Sequence, residues 1–287
     1  MHRGVLYPAR LPEFHRLPAP DRVAGLVRWF WIPEWRIAPG RSSRQQVIAF
    51  PASNLVVESG PVVESGPVAE SGPVAESGSV VESGRVGLAG PTTRVSYRDL
   101  TGTGWAVGAL LRPAAVPLFT EDPAALRDAY RTVDLPALRE LVSGVMNGSS
   151  DRAARRHLAV EAFTDWLAGA FPAPTPEALL ANSMADLIDS DPAVRRVEDA
   201  AARLGVSVRT LQRLARRYVG LPPLAMIRRR RLQEAAERLR TGQDTSLAAV
   251  AADLGYADHA HLANEFRSVL GFTLSAYRQG ASPAEPS

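Results

Sequence analysis

Cysteine is absent from all 287 residues, which removes disulfide scaffolds and thiolate zinc sites at once. Lysine is absent too, so all 33 basic residues are arginine. No apolar run approaches the roughly 18 residues that a membrane-spanning helix needs. The stretch MHRGVLYPARLPEF lacks the apolar core of a signal peptide. These absences point to the cytoplasm and away from a membrane partner. Also missing are GxSxG, HExxH, a Walker loop and GxGxxG, the short motifs of common hydrolases, metalloproteases and nucleotide binders. No catalytic residue, metal ligand set or cofactor is therefore assigned. What is present, 46% hydrophobic and 22% charged residues, is a globular composition with room for two domains.

Charge is unevenly spread. Residues 192–280 hold fifteen arginines against eight acidic residues, a balance of +7 that leaves −4 on the rest. A basic segment joined to a slightly acidic one suits a partner carrying phosphates. The first 55 residues are rich in Trp and Pro, and runs such as LVRWFWI and QVIAF read as strands. Residues 86–111 give further strands, in VGLAG, TRVSY and WAVGALL. After Pro123 the pattern turns helical through AALRDAYRTV, PALRELVSGVM and DRAARRHLAVEAFTDWLAGAF. FPAPTP at 171–176 signals a linker.

Residues 56–85 repeat a hexapeptide five times: VVESGP, VVESGP, VAESGP, VAESGS, VVESGR. A hexapeptide β-helix is one reading, but five copies close fewer than two turns of such a solenoid and bury almost nothing. The repeat reads instead as the lengthened tip of a hairpin, ASNLVVESG with RVGLAG, tolerated because loop-closure entropy grows slowly with length. A mobile or weakly β-structured loop is expected.

The densest information lies from Val197 to Tyr277, where one pattern occurs twice. VEDAAARLGVSVRTLQRLARRYVG and LAAVAADLGYADHAHLANEFRSVLG each hold an Ala-rich amphipathic helix, a Leu-Gly stop, a short turn and a second amphipathic helix. That is a helix-turn-helix in sequence. In the first copy Val197, Ala200, Ala201 and Leu204 pack, Gly205 stops the helix and Ser207 caps the next. Leu211, Leu214, Ala215 and Tyr218 form its buried stripe. Arg209, Gln212, Arg213 and Arg216 share the opposite face, and Arg and Gln have the geometry to read guanine and adenine in a major groove. In the second copy Asp258 caps a helix burying Leu262, Phe266, Val269 and Leu270. His259, Ala260, Ala263, Asn264 and Arg267 then face outward. His259 and His261 diverge on a helix, which argues against a metal. Leu224 to Arg240 reads as one helix joining the units, about 25 Å long at about 1.5 Å per residue. Its four arginines, 228–231, wrap the helix, so some must meet solvent or phosphate.

Here the chain resembles the arabinose-regulator/XylS (AraC) family of bacterial transcription factors. Ala251, Gly255, Tyr256, Leu262, Phe266, Arg267, Gly271, Tyr277 and Arg278 in SLAAVAADLGYADHAHLANEFRSVLGFTLSAYR match its C-terminal signature. Leu274 stands where proline is usual, and Ala215 where a bulky aromatic is common. The resemblance implies double-stranded DNA and RNA polymerase as partners. It places base reading on Arg209, Gln212, Arg213, His259, Ala260, Ala263 and Asn264, with Ser207, Arg216, Arg217 and Arg267 on phosphates. The first half, through RWFWIPEW, NLVVESG and GALLRPAA, resembles an uncharacterised domain found on some of these regulators. Such a half commonly binds a small-molecule effector or forms a homodimer, with Trp29, Trp31, Trp35 and Arg112 as the candidate pocket. The missing cysteines exclude the DNA-repair methyltransferases that share this DNA-binding domain.

The expected fold is α+β: a β-rich N-terminal domain with following helices (1–172, carrying the insertion 56–85), a linker (173–176), an all-α domain of two helix-turn-helix units joined by a long helix (177–280), and a disordered tail (281–287). The expected function is sequence-specific transcription regulation without catalysis; the alternative is an architectural or interaction module on DNA.

Overall fold

The alternation in VRWFWIPEWR sends Phe30 and Ile32 to one face of a strand and Trp29, Trp31 and Trp35 to the other, and the first pair is completely buried. This strand organises the first half of the computed structural model, which describes residues 13–47, 51–60, 62–65, 84–94, 96–148, 151–240, 246–271 and 273–278. The strands are β1 (Glu13–Pro18), β2 (Val27–Arg36), β3 (Ser42–Val47), β4 (Asn54–Glu58), β5 (Val62–Ser65), β6 (Arg85–Ala89), β7 (Ser96–Thr101), β8 (Thr103–Leu111) and β9 (Tyr130–Thr132). The helices are α1 (Pro136–Gly148), α2 (Arg152–Ala170), α3 (Pro176–Ser190), α4 (Val197–Arg203), α5 (Val208–Tyr218), α6 (Pro223–Arg240), α7 (Leu247–Asp253), α8 (His259–Leu270) and α9 (Leu274–Arg278). The α+β fold is as expected.

The larger sheet runs β1-β2-β8-β4-β6-β9 and the smaller one β3-β7-β5, with antiparallel pairing throughout. α1 and α2 cover one face of the larger sheet, where Phe30 meets Phe163 edge-on at 5.4 Å between ring centroids. On the same face, Glu34 accepts hydrogen bonds from Arg155 and from Arg156 Nε, the latter at 2.6 Å. Burial alone raises the Glu34 pKa, but the two guanidinium groups outweigh it and hold the carboxyl below its ordinary range.

Two expectations need correction. AALRDAYRTV is not helical: Pro123–Leu126 is a single 3-10 turn, Asp128 takes a left-handed φ of 54°, and Tyr130–Thr132 pairs with β6. Local helix propensity loses there to an open sheet edge that needs a partner. The second hexapeptide copy, expected as at most a weakly β-structured loop, forms strand β5, laid against β7 from Val62↔Leu100 to Ser65↔Tyr97. Residues 66–83 lie outside the described residues, as do 1–12 and the proposed tail 281–287. The hairpin expected around the repeat is present, with β4 and β6 paired from Asn54↔Ala89 to Glu58↔Arg85. Glu58 is buried at its end, accepting from Arg85 Nε and from the Tyr130 hydroxyl, both at 2.7 Å.

The second half has two separate cores. One is built by α3, α4, α5 and the start of α6, the other by the rest of α6 with α7, α8 and α9. The halves of the chain are tied together at α3. Asn182, buried in mid-helix, accepts from Ala114 N and donates to Gly25 O, both at 2.9 Å. Arg28 meets Asp189 at 2.6 Å, and Arg112 meets Asp186. Beyond α5, Gly220 (φ 80°) presses on the 3-10 turn so closely that an added Cβ would lie 2.2 Å from the Pro123 carbonyl oxygen. No helix of the described residues is long and apolar enough to cross a membrane.

Candidate nucleic-acid interface

Each unit is assembled by local signals. α4 begins where the Asp199 carboxylate accepts from the backbone N–H groups of Arg195 and Arg196, at 2.9 and 2.8 Å; these bonds hold its pKa down. Gly205 ends the turn after α4 with φ 65°, a conformation glycine adopts without strain. Ser207 Oγ then accepts from Thr210 N at 3.1 Å and starts α5. The second unit repeats the design. Ser246 caps α7, Gly255 takes φ 73°, and Asp258 accepts from His261 N at 2.7 Å to start α8.

Burial then divides each second helix. In α5, Leu211, Leu214, Ala215 and Tyr218 are inside, while Arg209, Gln212, Arg213, Arg216 and Arg217 are all exposed. The structure thus gathers the first unit's proposed base readers on one open face, with Ser207 exposed at its N-terminal end. In α8, Leu262, Phe266 and Leu270 are buried, and His259, Ala260, Asn264 and Arg267 are exposed. Ala263 is only half-exposed and packs against the core, so less of it is offered to a base. His261 turns back, its ring edge-on to Tyr256 at 5.3 Å. Tyr256 in turn lies under the Arg231 guanidinium, 4.1 Å from the ring centroid, which ties the start of α8 to α6.

α6 is the common strut. Met226 and Ile227 lie in the first core; Leu232, Ala235, Ala236 and Leu239 lie in the second. The four arginines at its centre have different fates. Arg228 is exposed and Arg231 half-buried, while Arg229 and Arg230 are buried. Arg230 donates to Val194 O at 2.8 Å and meets Glu234 at 3.3 Å. Among the described residues Arg229 has no acidic partner, its Nε and Nη1 find no acceptor, and burial lowers its pKa.

The residues proposed for an effector do not surround one cavity. Trp29 lies under the guanidinium groups of Arg16 and Arg28, at 4.3 and 5.0 Å. Trp31 and Trp35 lie on the sheet face opposite α1 and α2, over Gly108 and Gly104, where a Cβ would fall 2.1 and 2.3 Å from the indoles, and Trp35 is buried there with Val56, Ala106 and Leu100. Their ring N–H groups donate to Asn54 Oδ1 and Thr101 O. Arg112 opens instead on a cleft between the halves that none of the three tryptophans lines. Sequence reasoning passed over Asn182 and Glu177. Only a polar residue at a core spacing in ANSMADLI hinted at the first.

Residues 200–280 match the helix-turn-helix domain family, and residues 15–133 match a domain of unknown function, DUF6597. The chain is 36% identical over 83 residues to the HTH-type transcriptional activator RhaS of Escherichia fergusonii, an overlap of 29% of this chain and 30% of that protein. Its C-terminal part is an AraC-type helix-turn-helix domain. The chain spans less than a third of the length of that curated relative. Among solved structures, ToxT from Vibrio cholerae O395 covers 89% of this chain and 99% of its own at 14% identity and a TM-score of 0.45. A probable AraC family transcriptional regulator from Rhodopseudomonas palustris CGA009 covers 37% and 99%, at 27% identity and a TM-score of 0.32.

Proposed function

We propose that this protein is a sequence-specific regulator of transcription that reads two adjacent major-groove segments of double-stranded DNA. The observation that carries this is the division of α5 and α8: one stripe of each is locked into a core, and the other is exposed and holds side chains able to read base edges. Arg209, Gln212 and Arg213 read bases in the first segment, and His259, Ala260, Ala263 and Asn264 in the second. Ser207, Arg216, Arg217 and Arg267 hold the backbone, where arginine serves as a phosphate contact. The first unit offers the denser reading face, so it supplies most of the base discrimination and the second mainly fixes register. RNA polymerase is the downstream partner, in the cytoplasm, and the protein catalyses no reaction.

The N-terminal domain, near 1–172, controls the DNA-binding domain, near 177–280, through an effector or a second copy of the chain. Its support is the docking of α3 and Gly220 onto the sheet domain, which couples the two halves. Enrichment of duplexes from a random pool, followed by affinity measurements on enriched and scrambled duplexes, tests the central reading. A preference of about a thousandfold or more is expected of a specific regulator. Equal affinity for both would favour an architectural module.

A further inference from the structure

The exposed face of α5 carries one acidic neighbour that the DNA reading leaves unexplained. Glu177 projects from the first turn of α3 between two of the arginines assigned to DNA. Its Oε1 meets Arg213 Nη1 at 2.6 Å and its Oε2 meets Arg217 Nη1 at 3.5 Å. A carboxylate beside a phosphate-binding surface repels the ligand, so its place here calls for a reason. As an exposed ion pair it adds little to stability. Its geometry offers another use. The bond to Arg213 takes Nη1 and leaves the Nε–Nη2 edge, which among the described residues has no partner. That edge is one of the two through which a guanidinium donates a parallel pair of bonds to guanine O6 and N7.

Glu177, half-buried, is also firmly placed. Thr175 caps α3 by accepting from Ala178 N, and Pro176 opens the helix. The same helix is pinned to the sheet domain through Asn182, Asp186 and Asp189. The carboxylate that touches the reading helix therefore stands on the element that the N-terminal domain holds.

We propose that Glu177 is a specificity-determining positioning residue: it buttresses the Arg213 guanidinium so that its free edge meets guanine, and it links that arginine's orientation to the docking of the N-terminal domain on α3. The proposal rests on the DNA-binding reading above. In a sequence-specific complex the buttress persists and the arginine is pre-ordered. On random DNA no guanine is held in register with Arg213, and the carboxylate only repels phosphate.

The test compares full-length wild type, E177Q, E177D, R213A and the E177Q/R213A double variant on duplexes enriched by the wild type and on scrambled duplexes of equal length. E177Q should lose about fivefold on the enriched duplex, the scale of one exposed charge pair, with no loss on scrambled DNA. Its base preference should relax at the position that R213A also relaxes. In the R213A background E177Q should cause no further loss of preference, and E177D should retain most of it. A rise of equal size on both duplexes would show that Glu177 merely competes with phosphate, and would overturn the proposal; so would no change on either. A wild type that enriches no sequence would instead overturn the DNA reading itself, whatever E177Q does.

Discussion

At the scale of single residues, chemistry on this protein is almost entirely that of the guanidinium group, and its neighbours decide what each arginine can do. Arg213 and Arg267 are both exposed, on α5 and α8, yet they are assigned different tasks. Arg213→Ala should cost about 1–3 kcal/mol on the enriched duplex and relax preference at one base pair. Arg267→Ala should weaken binding to all sequences and flatten the salt dependence by about one charge. Titration of affinity against salt on both duplexes separates the two. Glu34 is a structural counterpart, a carboxylate held between Arg155 and Arg156. Its pKa lies below the ordinary value of 4.5. The pairing therefore stabilises the fold at neutral pH and loses that contribution as pH falls through the lowered pKa. Glu34→Gln should melt earlier at pH 7, and the gap from wild type should close in acid; a gap that stays constant down to pH of about 3 would contradict this linkage.

At the scale of elements, α6 carries the most telling conflict between sequence and environment. A run of four arginines guarantees that some reach solvent, and Arg228 does, but nothing in the run says which are buried. Arg229 is 6% exposed with two unpaired nitrogens, a costly state for a charge. Arg229→Met, of similar length, should raise the melting temperature at neutral pH. Burial pushes the Arg229 pKa down, which is the same desolvation cost seen from the charged side. Thermal melts of both proteins at pH 7 check this, and an unchanged or lower melting temperature in the variant would contradict it. Helices announced by caps and stops were legible in advance: Ser207, Asp258, Gly205 and Gly255 each act where the pattern places them. The strand β9 was not, since AALRDAYRTV has a helical composition and only the open edge of β6 makes it a strand. The flat seating of Trp31 and Trp35 was equally hidden. It depends on glycines 104 and 108, more than sixty residues away in the chain and opposite them in the sheet.

At the scale of the whole molecule, the repeat tract and the joint between the halves behave differently under change. Removing Gly66–Ser77 deletes two whole hexapeptides, an even number of residues, so the strand alternation on either side keeps its register. The shortened chain should fold and bind the enriched duplex as wild type does, by melting temperature and affinity. A cut that took Arg85 as well would strip the buried Glu58 of a partner and is expected to destabilise the sheet. The joint at α3 is less forgiving, because Asn182 satisfies backbone groups on two separate segments of the first half. Such long-range closure has no signature in a single sequence. The strut between the two reading helices carries a last consequence. A helix advances about 1.5 Å and turns about 100° with each residue, so one residue gained or lost in α6 would swing α8 well away from the azimuth that α5 sets. On the proposed reading, the gap between the two DNA segments would thus be quantised by the length of one helix. If α5 and α8 do read DNA as proposed, descendants of this protein would change the letters they recognise far more readily than the spacing between the words.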